Sequence, residues 1–226
     1  MYYRLLNCGF RLGVSGGSAI GVMPAPTGFN RVYAKVDGEF RPDKLWTAIK
    51  AGRSFATSGP MLWLEAEDAE IGDTLKLQPS DTKPSIQVKT RIRAIQPVES
   101  LEIVLDGHVI LAKDLRGETK SPIDSELAAA VSIEKSGWIA ARGLYRGPDG
   151  LLRQAHTSPI YIQIDDQAVR SSVDLRYMLR WIERLTSVAE EHPDWFPDED
   201  SKQAVLDDYQ RARDVLHGLL ETANSL

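Results

Sequence analysis

Residues 100–114 read SLEIVLDGHVILAKD, two apolar-rich runs split by Asp106-Gly107. A two-residue turn between antiparallel strands needs positive φ at its centre, and Asp-Gly adopts that conformation at little cost. The stretch therefore reads as a β-hairpin. The same texture continues outward from it. In SIQVKTRIRA, residues 85–94, Ile86, Val88, Thr90 and Ile92 share one face of a strand with period two. LAAAVSIEKSGWIAARGLY, residues 127–145, and HTSPIYIQI, residues 156–164, are further short runs bounded by turn residues. Several half-buried antiparallel strands within about 100 residues predict an immunoglobulin-like β-sandwich over residues 61–165, without the cysteine pair of antibody domains.

The flanks differ. Residues 1–60 mix glycine-rich turns with short strand and helix signals: RVYAKV reads as a strand, and RPDKLWTAIKAGR as a helix that starts at Pro42 and stops at Gly52. Leu45, Trp46 and Ile49 are expected on one face of that helix. SFATSGPMLWLEAE is extended again, with a bend at Gly59-Pro60. Beyond Asp165 the spacing turns helical. Leu175, Met178, Leu179, Ile182, Leu185 and Ala189 form one stripe, with Ser171 or Ser172 as N-cap. After the proline-broken linker EHPDWFPDED a second helix runs from about Ser201, with Val205, Tyr209, Ala212, Leu216 and Leu219 on one side. The pair predicts an antiparallel helical hairpin over residues 166–226, packing on the rest. The fold class expected is α+β, mainly β.

The 226 residues carry a net charge of −5 with both signs spread along the chain. No basic stripe offers itself to nucleic acid or anionic lipid. No apolar run approaches the roughly 20 residues that span a bilayer, and MYYRLLNCGF lacks the features of a signal peptide, so a soluble chain is expected, with its compartment left open. The single cysteine, Cys8, rules out an internal disulfide and a thiolate zinc cluster, and reads as a small buried apolar residue.

Chemistry is sparse. None of His108, His156, His192 and His217 has a second ligand at metal-binding spacing. His156 lies beside Thr157 and Ser158, where it would hydrogen-bond a ligand or be held by backbone at a strand end. SGGSAIG can form a nest of amides, but it matches neither phosphate-loop pattern and reads as a tight turn. The acidic runs LEAEDAEIGD and PDWFPDED read as solvated loops. Trp63, Trp138, Trp181 and Trp195 read as packing residues, although a row of exposed aromatics on a sandwich would bind sugars.

YYRLLNCGFRLGVSGGSA (2–19), GFNRVYAKV (28–36), LWTAIKAGRSFATSGPML (45–62) and IGDTL (71–75) together resemble the C-terminal part of bacterial metallohydrolases of the PHP (polymerase and histidinol phosphatase) superfamily, CehA/McbA branch. The resemblance implies that residues 1–60 are the closing strands and helix of a PHP-like barrel, and that divalent metal ions serve the family. It also places Ala19 where the family's Gly-Ser-Asp motif has its metal-binding Asp, and Gly21 where a following His can stand. The His-x-His part of the barrel has no counterpart in this chain. The expectation is thus a pseudoenzyme: a C-terminal fragment or degenerate relative of a metal-dependent hydrolase, inactive as an isolated chain and with no cofactor of its own. Ser18, Asn30, Arg31, Thr57 and His156 are the candidate cleft or ligand contacts; Asn30 and Arg31 also read as hydrogen-bonders at a strand entry, and Arg53 and Thr57 as residues that face a cleft or satisfy backbone. Expected partners are an upstream barrel segment or a second copy, associating through the incomplete barrel edge. Two other readings stand beside this one: a self-standing β-sandwich module that binds carbohydrate or a partner protein, and an unrecognised enzyme using His156 with an acid from elsewhere.

Overall fold

The computed structural model describes residues 1–19, 21, 26–78, 83–118, 121–147 and 152–224. They are α+β with mostly strands, arranged in two sheets and a C-terminal helical pair. The chain forms two compact units, Arg11–Gln167 on one hand and Met1–Phe10 with the chain from Ala168 onward on the other.

In the first unit the order is β1 (Arg31–Ala34), α1 (Pro42–Lys50), β2 (Ser54–Thr57), β3 (Met61–Ala66), β4 (Ala69–Glu70), β5 (Thr74–Leu77), β6 (Ser85–Ala94), β7 (Ser100–Leu105), β8 (His108–Asp114), β9 (Ile123–Ser132), β10 (Gly137–Arg146), β11 (Leu152–Thr157) and β12 (Ile160–Ile164). The larger sheet has eight strands in the order β1-β2-β11-β10-β12-β5, with β7 on the other edge of β10 and β8 beyond it. The smaller is β4-β3-β6-β9. Pairings are antiparallel except β12 with β5. Strands β1 and β2, which the resemblance assigns to a barrel, are thus hydrogen-bonded into the same sheet as β10 and β11.

Alternation in β6 puts Ile86, Val88, Ile92 and Ala94 inward, where they meet Leu62, Leu64, Leu101, Ile103, Ile139, Ala141, Ile160 and Ile162 in a core shared by both sheets. Thr90 lies on that inward face too, and its hydroxyl donates to the Trp63 carbonyl at 2.7 Å, which removes the cost of burying it. Gly143 leaves room for a side chain of the facing sheet, since a Cβ there would lie 2.3 Å from Ile92 Cδ1.

The hairpin forms at the expected turn: Asp106 (φ 50°) and Gly107 (φ 91°) join β7 to β8, with Leu105 opposite His108. Asp106 has a second role. Its carboxylate accepts from the Trp138 amide at 2.9 Å and its own amide donates to the Trp138 carbonyl at 3.0 Å, which ties the turn to the start of β10. One edge of β10 is shared by β12 and β11, which are interrupted at Ser158-Pro159. At that interruption the Thr157 hydroxyl accepts from the Ala141 amide at 2.9 Å and so replaces a missing ladder bond.

Helix α1 begins at Pro42 and ends before Gly52 (φ 72°), as its start and stop signals predict. Its inward face differs from expectation. Ala48 is buried and Leu45 and Ile49 are half-buried, whereas Trp46 is 61% exposed. The inward positions follow the i, i+3, i+4 spacing from Leu45, and Trp46 sits about 100° further round the helix.

The second unit holds a short helix, α2 (Tyr2–Asn7), with α3 (Ser172–Glu191) and α4 (Glu199–Asn224). Leu175 and Leu179 at the start of α3 meet Leu216, Leu219 and Leu220 near the end of α4, so the two long helices run antiparallel. Cys8 joins this core. The Ser171 hydroxyl caps α3 by accepting from the Asp174 amide at 3.2 Å, and the buried Asp174 carboxylate receives Arg4 Nη1 at 2.7 Å, Asn7 Nδ2 at 3.0 Å and Ser171 Oγ at 2.8 Å.

Candidate functional site

The five residues singled out by sequence gather around β1, β2 and β11 but do not converge on one point. In the sheet, Arg31 pairs with Thr57 and Thr57 with Ala155, while Val32 pairs with Ala56, Ala56 with His156 and His156 with Arg142. Directly paired residues share a face, and neighbours along a strand do not. Ala155 belongs to the core between the sheets, so Thr57 and Arg31 lie on the core-side face and His156 on the opposite one.

The side chains of Thr57, Ser18, Asn30 and His156 each have a local partner. Thr57 Oγ1 donates to the Pro60 carbonyl at 2.7 Å and accepts from the Gly59 amide at 2.9 Å, which shapes the bend expected at Gly59-Pro60. Ser18 Oγ accepts from the Asn30 amide at 3.0 Å, and Asn30 Nδ2 donates to the Gly17 carbonyl at 3.1 Å. This reciprocal clamp closes the base of the loop that leads into β1. Ile20 and residues 22–25 of that loop lie outside the described residues.

The glycine-rich stretch before the clamp runs over the His156 face. Val14 N donates to Ser158 Oγ at 3.0 Å, and a Cβ on Gly16 would lie 3.4 Å from the Ala56 methyl, next to His156 in the pairing register. Half-buried His156 donates from Nδ1 to the Thr157 carbonyl at 2.7 Å. Burial pushes its pKa below the ordinary imidazole value; the backbone bond opposes this and the Arg142 charge adds to it. Arg142 in turn pairs with Glu102, whose other oxygen accepts from Ser100 Oγ at 3.0 Å. The row His156, Arg142, Glu102 was missed from sequence. Its signal is a charged residue inside each of two otherwise apolar strands, GWIAARGLY and SLEIVL.

Two surface recesses lie elsewhere in this unit. One, of about 260 Å³, is lined by Val36 and Asp37 after β1, Lys44 and Thr47 of α1, and Arg53 before β2. In it Arg53 Nη1 meets Asp37 Oδ2 at 3.2 Å, and Lys44 Nζ donates to the Asp37 carbonyl at 3.1 Å. The other, of about 170 Å³, lies on the outer face of the smaller sheet between Trp63, Glu65, Lys89, Arg91 and Glu126. There Trp63 is 42% exposed, the Arg91 guanidinium stands 5.9 Å from its ring centre, and Lys89 pairs with Glu126 at 3.2 Å.

The divalent ions implied by the resemblance do not fit the residues present. Ala19 offers only a methyl group, and among the described residues no three His, Cys, Asp or Glu side chains are grouped to hold a metal ion. Ala19 has φ 48°, a left-handed conformation that glycine, asparagine and aspartate adopt far more readily than alanine. Among the described residues no helix is long and apolar enough to cross a membrane. No protein-family model matches the chain, and no curated protein matches it.

Proposed function

We propose that the chain is a C-terminal fragment or degenerate relative of a PHP-type metal-dependent hydrolase and that it does not hydrolyse substrate on its own. In this reading β1, α1 and β2 descend from the closing strands and helix of the barrel, and the remaining strands of the two sheets, from β3 onward, are its appended immunoglobulin-like sandwich. The observation that carries it is the backbone at Ala19: the loop has a left-handed turn suited to aspartate at the position where the family motif places one, and alanine occupies it. The sheet also ends at β1, and Phe40 and Trp46 nearby in sequence are 65% and 61% exposed, which supports an edge that an upstream barrel segment or a second copy would cover. The test is a panel of chromogenic phosphate esters, carboxylic esters and anilides incubated with the purified chain and Mn²⁺ or Zn²⁺. Rates equal to those of metal and buffer alone are expected; turnover that a chelator abolishes would overturn the reading.

A second reading, a β-sandwich module that binds carbohydrate, is favoured by the Trp63 recess, where an indole ring lies beside two acids and two bases. A pyranose ring stacks on such an aromatic face while its hydroxyls bond the flanking charges. Quenching of tryptophan fluorescence by a soluble oligosaccharide, lost in Trp63→Ala, would establish it; a glycan array with no signal would dismiss it.

A further inference from the structure

We infer that the recess between β1, α1 and β2 is a binding site for a phosphate-type oxyanion, either free phosphate or the phosphoryl group of a small monoester. The inference stands independently of the hydrolase reading, because it asks for binding and no chemistry. Two cationic side chains, Lys44 and Arg53, line the recess against one carboxylate, Asp37. Both are already drawn toward the same short segment, Arg53 to the Asp37 side chain and Lys44 to its carbonyl. Asp37 satisfies only part of the guanidinium. Arg53 Nε is buried without a hydrogen-bond partner, and the guanidinium meets the Asp37 carboxylate through Nη1. Lys44 and Thr47 are three residues apart on α1 and therefore on one side of it, which forms a wall of the recess. The Thr47 hydroxyl donates to the Asp43 carbonyl at 2.9 Å, so the cations, not this hydroxyl, are the donors for the ligand. The volume of about 260 Å³ admits a phosphate with a small substituent and is too small for a large cofactor. The largely solvent-exposed Asp37 carboxylate is the native competitor for the same guanidinium.

The competition gives the test its distinguishing arm. Inorganic phosphate is titrated into the isotope-labelled full chain at constant ionic strength, with chloride as the balancing anion, and the backbone amides of Asp37, Gly38, Lys44 and Arg53 are followed by NMR. Saturable shifts centred on these residues are expected. Lys44→Gln, at a half-buried position on α1, should weaken binding about tenfold or more while the amide spectrum away from the recess stays that of wild type, and Asp37→Asn should strengthen it by a few fold. Phenyl phosphate binding more tightly than inorganic phosphate would assign the monoester as the source, and the reverse would assign free phosphate. Shifts that stay linear in concentration, that chloride reproduces, or that Lys44→Gln leaves unchanged would overturn the inference.

Discussion

Replacing Asp106 with alanine removes an acceptor and changes nothing else in the chain's apolar pattern, which makes it a sharp probe of how the hairpin is fixed. The carboxylate accepts from the Trp138 amide at 2.9 Å beside the fully buried indole of Trp138. Leaving that buried donor unmet costs about 1–3 kcal/mol. Asp106 also holds φ 50°, where alanine is less at ease than aspartate, by about 1 kcal/mol. Together these give a loss of about 2–4 kcal/mol, or a fall in melting temperature of roughly 5–15 °C for a domain of this size. Asp106→Asn keeps both the acceptor oxygen and the tolerance for positive φ, so it should cost little. Burial raises the Asp106 pKa above the ordinary carboxyl value, with the Trp138 amide and the Lys135 and His108 charges opposing. The folded state then binds this proton more tightly than the unfolded state. The group's contribution to stability therefore falls as pH rises from the unfolded pKa through the raised folded one. The uncharged asparagine variant should be at least as stable relative to wild type at pH 7 as at pH 4. Urea unfolding followed by tryptophan fluorescence measures all three proteins. An alanine variant as stable as wild type, or an asparagine variant as unstable as the alanine one, would refute the reasoning.

Gly72→Ala should be among the most damaging single changes: a Cβ there would lie 2.5 Å from the Ala51 carbonyl oxygen, at φ 90°, and a loss of more than about 3 kcal/mol is expected in the same unfolding assay. Cys8 is fully buried, and burial pushes its thiol up to about 11, so native protein should not react with a thiol reagent at pH 8 while urea-unfolded protein reacts fully. Asp174→Ala removes the shared acceptor of Arg4, Asn7 and Ser171 and should lower the stability of the helical unit by about 1–3 kcal/mol, read from helical circular dichroism during thermal unfolding.

What the sequence disclosed follows the range of each signal. Period-two alternation in β6, the Asp106-Gly107 turn and the Pro42 start and Gly52 stop of α1 are local, and each forms where its residues predict; of the two serines offered as cap for α3, Ser171 takes the role. The partnership of residues 2–10 with the C-terminal helices is not local. Arg4 meets a carboxylate 170 positions away, and nothing in YYRLLN points to it. The orientation of α1 depends on which of several adjacent apolar residues faces the sheet, which propensity does not specify, and so Trp46 reads from sequence as sharing a face with Leu45 and Ile49 while the structure leaves it exposed. The candidate site needed register. Thr57 and His156 sit on different strands, and only the pairing of Thr57 with Ala155 reveals that their side chains lie on opposite faces. The same register makes a row of His156, Arg142 and Glu102 from three separate strands. The resemblance singled out Ala19 as the position where a carboxylate is expected, whereas its left-handed backbone became visible only in the structure.

The proposed function holds that the loop containing Ala19 descends from a metal-ligand loop and has lost its ligand. Equilibrium dialysis of the purified chain against Mn²⁺ and Zn²⁺, with Ala19→Asp alongside, tests it most directly. Substoichiometric metal on both proteins is the predicted result, because among the described residues no three His, Cys, Asp or Glu side chains are grouped to hold an ion and one restored carboxylate does not supply a full ligand set. One tightly bound ion per wild-type chain would contradict it.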